Sequence, residues 1–382
     1  MTYEKKSIDL KMKYPAIEDL AQKARTRIPH VAWEYLQTGT GREELIQRNL
    51  DAIQNVRLSP QFCKGALNPT TETTLFGQRY NAPFGIAPVG LTGLMWPRAE
   101  VILAKTANKY RIPYSLSTVA TETPETVGPH VGDMGWFQLY PPREEELRKA
   151  FINRAWKAGF RTLIITADVP TPSRRERTKR AGLAMPPKMT LNFIWQGMTH
   201  PVWSFHTLKN GLPRLRTIES YSEFNTMMSV GAFTRDRLGG NLSWEHCKAL
   251  RDEWQGPVIV KGLLHPKDAE TAVGIGMDGI VVSNHGGRQF DGAPASMEAL
   301  PEIVRAVKGK TAILFDSGIR SGLDILRALK MGADFVLLGR SFIYGVAALG
   351  KYGGDHVAEI LMEELKNNMV QLGIENLSGS AN

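Results

Sequence analysis

The amino-acid sequence predicts an α/β protein whose strands close into a (β/α)8 barrel, or TIM barrel, and three observations support this fold. Eight short runs rich in Val, Ile, Leu or aromatic residues recur along the chain, and segments with helical periodicity lie between most of them. Most of these runs are continuously apolar, which is typical of parallel strands covered on both faces. Most also begin 21 to 32 residues apart, close to the ~30 residues of one strand–helix unit. Eight such units favour a closed barrel over an open sheet.

The predicted elements alternate in order along the chain. The strands are Phe84–Ala87, Tyr114–Thr118, Gly135–Tyr140, Thr162–Asp168, Pro257–Gly262, Gly279–His285, Thr311–Asp316 and Phe335–Arg340. The helices are Arg98–Tyr110, Arg143–Ala158, Ser243–Trp254, Pro266–Gly274, Ser296–Val307 and Gly322–Lys330. This alternation predicts right-handed crossovers and a parallel sheet.

Two segments lie outside the repeating pattern. Residues Tyr14–Val56 precede the first strand and look helical, with Ile17, Leu20, Ala21 and Ala24 on one face. The fourth and fifth strands begin 95 residues apart, so a long insertion follows strand four. We therefore expect one domain over residues 1–382, with an N-terminal helical extension over 1–60 that acts as a lid or barrel plug. The loop insertion spans 170–242, and its pair Gly239-Gly240 is expected to be only a loop.

Composition indicates the general class of protein. Hydrophobic residues make up 42% of the 382 residues and charged residues 22%, as in soluble globular proteins. The charged N-terminus does not resemble a signal peptide, and no stretch reaches the ~18 apolar residues of a membrane span. We therefore expect a cytoplasmic protein. Cys63 and Cys247 stand alone, which favours buried free thiols over a disulfide or a metal site. No nucleic-acid partner is expected.

The net charge of +9 is concentrated in one segment. No Asp or Glu occurs from Arg177 to Ile218, whereas that segment carries seven basic residues: Arg177, Lys179, Arg180, Lys188, Lys209, Arg214 and Arg216. An excess of basic residues often means only a solvated surface. Because this excess is concentrated in the insertion, it indicates a function of that segment.

Polar residues gather where consecutive predicted strands end. They are Gln138 and Tyr140, then Thr166 and Asp168, then Lys261, then Ser283, Asn284 and His285, with Arg288 just beyond. The carboxyl ends of barrel strands meet on one rim, which is where barrel enzymes carry their chemistry. Because buried polar groups without partners are costly, this repetition predicts an active site.

The last two strands end in a different kind of sequence. Asp316-Ser317-Gly318-Ile319-Arg320 and Gly339-Arg340-Ser341 each stand at the start of a helix. Glycines let backbone N–H groups approach a ligand, helix N-termini attract anions and arginines neutralise charge. Together these residues predict a site for a phosphate-bearing ligand.

The run Ser283-Asn284-His285-Gly286-Gly287-Arg288-Gln289 resembles the signature of the FMN-dependent 2-hydroxy-acid oxidases and dehydrogenases. This family includes glycolate oxidase and the flavin-type lactate and mandelate dehydrogenases. The resemblance covers about Tyr14 to Gly373 and includes Phe137–Tyr140, Thr166–Pro170, Val260–Gly262 and Asp316–Arg320. It implies FMN as the cofactor, a 2-hydroxy acid as the substrate and a homotetramer.

The resemblance assigns catalytic roles to six residues. His285 would be the base that takes a proton from the substrate, with Asp168 bonded to its far ring nitrogen. Arg288 would bind the substrate carboxylate together with Tyr35. Arg175 resembles a second guanidinium near that site, and Tyr140 would contact the hydroxyl or the developing oxo group. Hydride transfer and a carbanion mechanism use the same base.

The cofactor roles follow in the same way. Lys261 resembles the lysine beside the flavin's pyrimidine edge, where positive charge favours the reduced ring. The remaining cofactor-binding positions are Pro88, Val89, Gly90, Ser117, Gln138, Thr166, Ser283, Asp316 for the ribityl chain, and Gly318, Arg320, Gly339 and Arg340 for the phosphate.

Three positions depart from glycolate oxidase or from the family pattern. Thr38-Gly39-Thr40-Gly41-Arg42 stands where the family often has an acidic pair, so the resemblance does not predict the conformation of that loop. Val119 replaces a Trp, which predicts a wider substrate pocket. Gly90 replaces an Ala and resembles the lactate and mandelate dehydrogenases, so lactate or a larger hydroxy acid is favoured over glycolate.

The insertion also has apolar residues among its basic ones between Asn192 and Leu215: Phe193, Ile194, Trp195, Trp203, Phe205, Leu208, Leu212 and Leu215. Aromatic residues suit the membrane interface, and each Lys or Arg near an anionic leaflet contributes about 1 kcal/mol. His200-Pro201 followed by Trp203-Ser204 resembles the insert of membrane-bound mandelate dehydrogenase. We expect salt-sensitive adsorption to the inner face of the cell membrane. The alternative is a mobile lid over the flavin.

Several functions fit this pattern. The first is a dehydrogenase that passes electrons to a quinone or another carrier, and the second is an oxidase that passes them to O2. An FMN-dependent isomerase of isoprenoid diphosphates would need the phosphate site but neither His285 nor Arg288. A non-catalytic, membrane-associated ligand sensor would carry no flavin.

Overall fold

The computed structural model describes residues 9–142, 144–183, 190–221, 237–238 and 242–377. Its centre is a closed barrel of eight parallel strands, which confirms the predicted fold. An antiparallel hairpin of β1 (Thr73–Leu75) and β2 (Gln78–Tyr80) precedes it. The barrel strands are β3 (Phe84–Ile86), β4 (Tyr114–Ser117), β5 (Gly135–Leu139), β6 (Thr162–Thr166), β7 (Val258–Leu263), β8 (Gly279–Val282), β9 (Ala312–Phe315) and β10 (Phe335–Leu338). Each strand pairs with the next, and β10 pairs with β3 to close the ring.

Helices precede the barrel, connect its strands and follow it. Before the barrel lie α1 (Ile17–Arg27), α2 (His30–Gln37) and α3 (Glu44–Gln54). Between β3 and β6 lie α4 (Thr92–Met95), α5 (Ala99–Tyr110), α6 (Pro124–Val131) and α7 (Glu145–Lys157). The insertion contains α8 (Glu176–Arg180), α9 (Leu191–Thr199), α10 (Pro201–Asn210) and α11 (Arg216–Glu219). The later helices are α12 (Trp244–Glu253), α13 (Pro266–Gly274), α14 (Ser296–Val307), α15 (Gly322–Lys330), α16 (Arg340–Leu349) and α17 (Gly353–Leu372).

The barrel strands are buried because their apolar runs face side chains on both surfaces of the sheet. Every residue of β5, β6, β8 and β10 is buried. Several strands end before the predicted bound, as β6 does at Thr166 instead of Asp168. The residues beyond the last ladder pair leave the sheet, which frees their side chains for the rim of the barrel.

The β1–β2 hairpin covers the amino-terminal end of the barrel. The ring centroid of Tyr80 lies 5.6 Å from that of Phe335, the first residue of β10, and 6.3 Å from that of Trp136 in β5. The indole N–H of Trp136 also donates to the Tyr80 hydroxyl at 3.2 Å. The barrel plug is therefore this hairpin. The N-terminal helices, which we expected to form a lid or plug, do not fill this end.

The N-terminal helices pack against the side and the opposite end of the barrel. Ile17, Leu20 and Ala24 form the buried face of α1, as the sequence pattern predicted. Helix α3 contacts the loop that follows β8 through a reciprocal pair of amides. Asn49 donates to Asn284 at 3.0 Å and Asn284 donates back at 2.7 Å.

The insertion lies against the barrel through one face of its helices. The indole of Trp203 is buried and donates to the Leu94 carbonyl at 3.0 Å. Leu215 is also buried, and Arg216 forms an ion pair with Glu122 at 3.1 Å. Trp203 and Leu215 therefore do not face outward, which corrects the expectation that they belong to a membrane-binding surface. They are held inside because the barrel rim offers apolar contacts and a backbone acceptor.

The opposite side of α9 and α10, together with the residues that follow α10, exposes large apolar side chains. Trp195 is 62% exposed and Leu208 80%. We call this surface the outer apolar face; it consists of Leu191, Ile194, Trp195, Met198, Val202, Phe205, Leu208 and Leu212. Lys188 and Gly239-Gly240 lie outside the described residues. No helix in the described part of the chain is long and apolar enough to cross a membrane.

The two cysteines differ in their surroundings. Cys247 is buried, as expected, and burial raises the pKa of its thiol to about 12. Cys63 is exposed, so the expectation that both thiols are buried is wrong. Cys63 lies in the irregular segment between α3 and the hairpin, outside the core.

Candidate active site

A cavity of about 630 Å³ opens at the carboxyl ends of the barrel strands. It is lined by all the predicted site residues except Ser117, Asp168 and Ser283. Each of these three makes a hydrogen bond to a residue of the lining, as described below. The strand-end pattern therefore brings the predicted residues together on one rim.

His285 and Asp168 form a hydrogen-bonded pair in this cavity. The imidazole Nδ1 lies 2.7 Å from the Asp168 carboxylate, and Nε2 lies 3.5 Å from the Tyr140 hydroxyl. His285 begins a left-handed turn with φ of 58°, which continues through Gly286 and Gly287. Two serines hold this turn: Ser283 Oγ accepts the His285 N–H at 3.1 Å, and Ser317 Oγ accepts the Gly286 N–H at 3.0 Å. The turn aims the ring nitrogen Nε2 into the cavity.

Burial lowers the pKa of His285 below its ordinary value, although the charge of Asp168 opposes the effect. For Asp168, burial alone would raise the pKa, but His285 and Lys261 together hold it below the ordinary value. The imidazole is therefore neutral near pH 7, with its Nδ1 proton directed at a carboxylate and Nε2 able to accept a proton. Burial also raises the pKa of Tyr140 to about 12, so its phenol stays protonated.

Lys261 is a buried ammonium group between two carboxylates. Its Nζ lies 3.2 Å from Asp316 and 3.9 Å from Asp168, and it donates to Ser283 Oγ at 2.9 Å. Burial would lower the pKa of Lys261, but the two carboxylates keep it above the ordinary value. Lys261 therefore supplies a permanent positive charge to the floor of the cavity.

A bulge in β7 makes room for the Asp168 side chain. The register shifts between Lys261 and Leu263, and the intervening Gly262 has φ of 107°. A Cβ atom at Gly262 would stand 2.5 Å from Cβ and Cγ of Asp168. Only glycine fits here, because any side chain would push the carboxylate away from His285.

Three neighbouring strands present a chain of polar side chains. Gln138 accepts from the Ser117 hydroxyl at 2.7 Å and donates its amide to the Thr166 hydroxyl at 2.9 Å. All three residues are buried. These two hydrogen bonds fix the orientation of the Gln138 amide. Its donor side and its acceptor side are therefore defined where it faces the cavity.

Arg288 and Arg340 are held by backbone carbonyls at the end of α2. Arg288 Nη1 donates to the carbonyls of Tyr35 and Thr38, both at 2.9 Å. Arg340 donates to Leu36 at 3.0 Å, to Thr38 at 3.1 Å and to Gly286 at 2.9 Å. Burial lowers the pKa of Arg288 to about 9 and that of Arg340 to about 10, so both remain cations at neutral pH.

Arg175 and Tyr35 complete this side of the cavity. Arg175 Nε donates to Ser173 Oγ at 2.9 Å, and its Nη2 donates to Gln289 at 3.4 Å. The Arg288 guanidinium lies 5.0 Å from the centroid of the Tyr35 ring. The Tyr35 hydroxyl donates to the Gly90 carbonyl at 3.3 Å.

The two predicted phosphate loops differ in how their helices begin. At α15, Ser321 and Asp324 form a capping box, and Asp324 also accepts the Arg320 N–H at 3.0 Å. At α16, Gly339 is the N-cap residue and no side chain caps the helix. The start of α16 therefore offers free N–H groups to an anion in the cavity.

One wall of the cavity is apolar. A Cβ atom at Gly90 would stand 2.6 Å from Cγ2 of Val119, so these residues are in close contact. The insertion adds three leucines to the lining: Leu183, Leu215 and Leu238. The sequence did not point to these leucines, nor to Ser317 or Asn49 as supports of the His285 turn. The glycine-rich run marks the turn itself, but nothing in the local sequence marks partners that are distant along the chain.

The fold and the site together define an eight-stranded barrel whose cavity combines a histidine hydrogen-bonded to a carboxylate with several cationic side chains. A family model described as FMN-dependent dehydrogenase matches residues 24–381. The chain therefore belongs to the FMN-dependent dehydrogenases, the family of 2-hydroxy-acid oxidoreductases, and FMN is its cofactor.

Individual relatives agree with this assignment. The chain is 38% identical to an L-lactate dehydrogenase of Xanthobacter autotrophicus over 363 residues, which cover 94% of this chain and 93% of that protein. A crystal structure of the monotopic membrane protein (S)-mandelate dehydrogenase superimposes with a TM-score of 0.91 at 32% identity, covering 96% of this chain and 97% of that one. A mandelate oxidase structure gives a TM-score of 0.82 at 33% identity, with coverage of 96% and 97%.

The cavity fits FMN in its size and in its donors. A volume of about 630 Å³ lies within the range of small-molecule and cofactor sites. The cavity combines a buried ammonium at Lys261, the oriented amide of Gln138 and an uncapped helix N-terminus beside Arg340. These groups suit a ring with several polar atoms joined to a phosphate.

Proposed function

We propose that the protein oxidises an L-2-hydroxy acid to the 2-oxo acid. The observation that carries this proposal is that His285, bonded to Asp168 behind it, lines the same cavity as Arg288. A base and a guanidinium so placed can hold a carboxylate and remove a proton from the adjacent carbon or its hydroxyl group.

Each residue has a defined task in this reaction. Arg288 binds the carboxylate with the N–H groups that the carbonyls of Tyr35 and Thr38 do not use, and Arg175 adds further donors. The Tyr35 hydroxyl donates to the carboxylate once it turns away from the Gly90 carbonyl. His285 Nε2 takes a proton, and Asp168 stabilises the imidazolium that forms. Tyr140, protonated throughout, donates a hydrogen bond to the substrate oxygen. When bound in the cavity, FMN would supply the oxidant, since it can take up the two electrons and the second hydrogen that the substrate loses.

We propose that the substrate has an apolar side chain of lactate size or larger. Val119 and the three leucines of the insertion form an apolar wall. Gly90 lets Val119 pack closely against the backbone of this wall, because the Cβ atom of an alanine would stand 2.6 Å from Cγ2 of Val119. The similar proteins named L-lactate dehydrogenase and (S)-mandelate dehydrogenase indicate the same size range.

The visible spectrum of the flavin tests cofactor and substrate class together. Purified protein should show an oxidised flavin spectrum that L-lactate or another L-2-hydroxy acid bleaches in the absence of air. The D-enantiomer serves as the control and should leave the spectrum unchanged. Protein that carries flavin but is bleached by no 2-hydroxy acid would remove the proposed activity.

For the electron acceptor we propose a quinone or another carrier. The outer apolar face supports this proposal, since a quinone dissolved in a bilayer must meet the enzyme at the membrane surface. The ratio of hydrogen peroxide to 2-oxo acid distinguishes the alternatives in air. A low ratio with rapid reduction of a soluble quinone supports the dehydrogenase, whereas one peroxide per 2-oxo acid makes the protein an oxidase.

For the cofactor, we propose that Lys261 lies beside the pyrimidine edge of the flavin. The other contacts to the ring would come from Pro88, Val89, Gly90, Ser117, Gln138, Thr166 and Ser283. Asp316 would hold the ribityl chain. Gly318, Arg320, Gly339 and Arg340 would bind the phosphate, chiefly at the uncapped start of α16.

Replacing Arg340 with Ala is expected to weaken FMN binding about 10- to 100-fold, the effect of losing a charge-assisted hydrogen bond. The loss also frees the carbonyls of Leu36 and Gly286. Flavin released on dilution, measured by its fluorescence, gives the dissociation constant. Arg48→Ala, which removes an exposed ion pair with Glu298, is the control. Unchanged FMN affinity in Arg340→Ala would exclude Arg340 from the phosphate site.

We also propose that the outer apolar face binds the inner face of the cell membrane. The basic charge of the insertion contributes less to membrane binding than its sequence suggests, because three of its arginines are paired with glutamates. Arg177 pairs with Glu34 and Glu43, Arg214 with Glu219 and Arg216 with Glu122. Adsorption then depends on apolar contact, assisted by Lys179, Arg180 and Lys209.

Wild-type protein is expected to sediment with anionic phospholipid vesicles, and salt should weaken this binding without abolishing it. The combined change Trp195→Ser, Phe205→Ser and Leu208→Ser should abolish sedimentation and leave dye-coupled activity intact, because these side chains do not line the cavity. Phe62→Ser changes an exposed aromatic residue outside the insertion and is the control. If the triple variant sediments like the wild type, or the wild type does not sediment at all, the membrane role is excluded. The insertion is then better explained as a mobile lid over the flavin.

We further propose that the protein assembles as a homotetramer, as its family resemblance implies. Light scattering coupled to size-exclusion chromatography tests this proposal. A mass near that of one 42.4 kDa chain would contradict it.

A further inference from the structure

Arg177, at the start of the insertion, joins two glutamates of the N-terminal region. Its Nε and Nη2 donate to the two carboxylate oxygens of Glu34, the latter at 3.1 Å. Its Nη1 donates to Glu43 at 2.9 Å. Glu34 is buried and Glu43 mostly so, and the arrangement raises the pKa of Arg177 and lowers that of Glu43. Arg177 and Glu43 are therefore charged at neutral pH, and the bidentate contact of Arg177 with Glu34 has defined geometry.

The two glutamates stand on either side of the segment Tyr35–Gly39. Glu34 precedes Tyr35 in α2. Glu43 reaches back and accepts from the Thr38 hydroxyl and the Gly39 N–H, both at 3.0 Å. One guanidinium therefore fixes both ends of a five-residue segment. This contact also defines the Thr38–Arg42 loop, whose conformation the sequence left open.

The same segment positions Arg288. Its carbonyls at Tyr35 and Thr38 are the acceptors for Arg288 Nη1, and no described carboxylate forms an ion pair with Arg288. The direction of the guanidinium is thus set by two backbone oxygens at the carboxyl end of a helix. A change in the position of that helix end would redirect the N–H groups of Arg288 that face the cavity.

We propose that Arg177 is a positioning residue, which holds the end of α2 against Arg288 and thereby sets the affinity of the site for the substrate carboxylate. This inference rests on the proposed function, because it assigns Arg288 to the carboxylate. Arg177 lies two residues after Arg175, which lines the cavity. The loop after β6 therefore affects the anion site in two ways. Arg175 lines the cavity directly, and Arg177 holds the end of α2 through Glu34 and Glu43, an arrangement that we call the clamp.

The test uses the FMN-loaded protein and measures binding apart from turnover. Flavin difference spectra give the dissociation constant of pyruvate, a 2-oxo acid anion, and steady-state kinetics give KM and kcat for the L-2-hydroxy acid. In Arg177→Gln both the dissociation constant and KM are expected to rise about tenfold, the effect of ~1.4 kcal/mol, with little change in kcat. Arg177→Lys keeps one ion pair but loses the bidentate geometry, so it should give an intermediate rise.

Arg214→Gln is the matched control. It removes another arginine–glutamate pair of the insertion, 2.7 Å to Glu219, which does not contact the Tyr35–Gly39 segment. Its pyruvate affinity and KM should equal those of the wild type. Glu43→Gln, which keeps an oxygen for Thr38 and Gly39, provides a second variant should Arg177→Gln fail to fold. It should weaken pyruvate binding less than Arg177→Gln.

Two results would overturn the inference. One is a lower melting temperature in Arg177→Gln with unchanged pyruvate affinity, which would make the clamp purely structural. The other is an equal loss of affinity in Arg214→Gln. Failure of the proposed function looks different, since wild-type protein would then neither bind pyruvate nor oxidise any L-2-hydroxy acid.

Discussion

Replacing His285 with Gln is expected to lower kcat by about 10²–10⁴-fold, the usual contribution of a general base, while FMN stays bound. Glutamine is polar and of similar size, but it cannot take a proton at neutral pH. The Ser283 and Ser317 contacts to the turn are made by backbone N–H groups, so they remain in the variant. Anaerobic stopped-flow measurement of flavin bleaching by L-2-hydroxy acid checks this step directly.

His246→Gln is the control for this variant. That histidine is bonded to Ser243 on a helix outside the cavity, so its loss should leave bleaching unchanged. The wild-type pH profile provides a second check. Because the pKa of His285 is lowered, kcat/KM should be constant near pH 7 and fall only below the ordinary histidine value of about 6.5. Bleaching of His285→Gln at the wild-type rate would remove His285 from the mechanism.

Arg288→Lys is expected to lower kcat/KM by about 10²–10³-fold, since charged hydrogen bonds contribute about 1.5–3 kcal/mol each. Lysine keeps the charge, but its single nitrogen cannot serve two backbone carbonyls and also present a planar pair of donors to a carboxylate. Both KM and kcat should change, because the substrate is bound more weakly and in a less favourable orientation.

The control for Arg288→Lys is Arg42→Lys in the neighbouring loop, whose exposed guanidinium lies 3.8 Å from Glu44. Both variants retain FMN, and only Arg288→Lys should alter the kinetics. Normal kinetics in Arg288→Lys would mean that the substrate carboxylate is bound elsewhere, for example by Arg175, which also lines the cavity.

The barrel and the rim of the site were predictable because both are recorded in local sequence. A buried parallel strand needs a continuous apolar run, and the polar residue after it marks the rim, as Thr166 and Asp168 do after β6. The His285 turn was equally visible, since its two glycines adopt positive φ. The bounds of the strands were less predictable, because they depend on where the ladder ends.

Contacts between distant segments were not predictable. Arg177 and Glu34 are separated by 143 residues, and the sequence presented Arg177 only as part of an acid-free, basic stretch. We assigned Trp203 to the membrane surface because its aromatic character alone does not reveal the Leu94 carbonyl to which its indole donates. Such pairings depend on how the insertion folds back onto the barrel. The periodic patterns that predict helices and strands do not record such long-range contacts.

The amide pair between Asn49 and Asn284 has a consequence for how the enzyme responds to acid. Neither side chain can gain or lose a proton in the physiological range, and each is both donor and acceptor to the other. The support of the His285 turn by α3 is thus electrically neutral, while His285 would change charge in each cycle of the proposed reaction. This contact should therefore keep its geometry across the pH range in which His285 titrates, so that loss of activity in mild acid would come from protonation of the imidazole and would reverse on neutralisation.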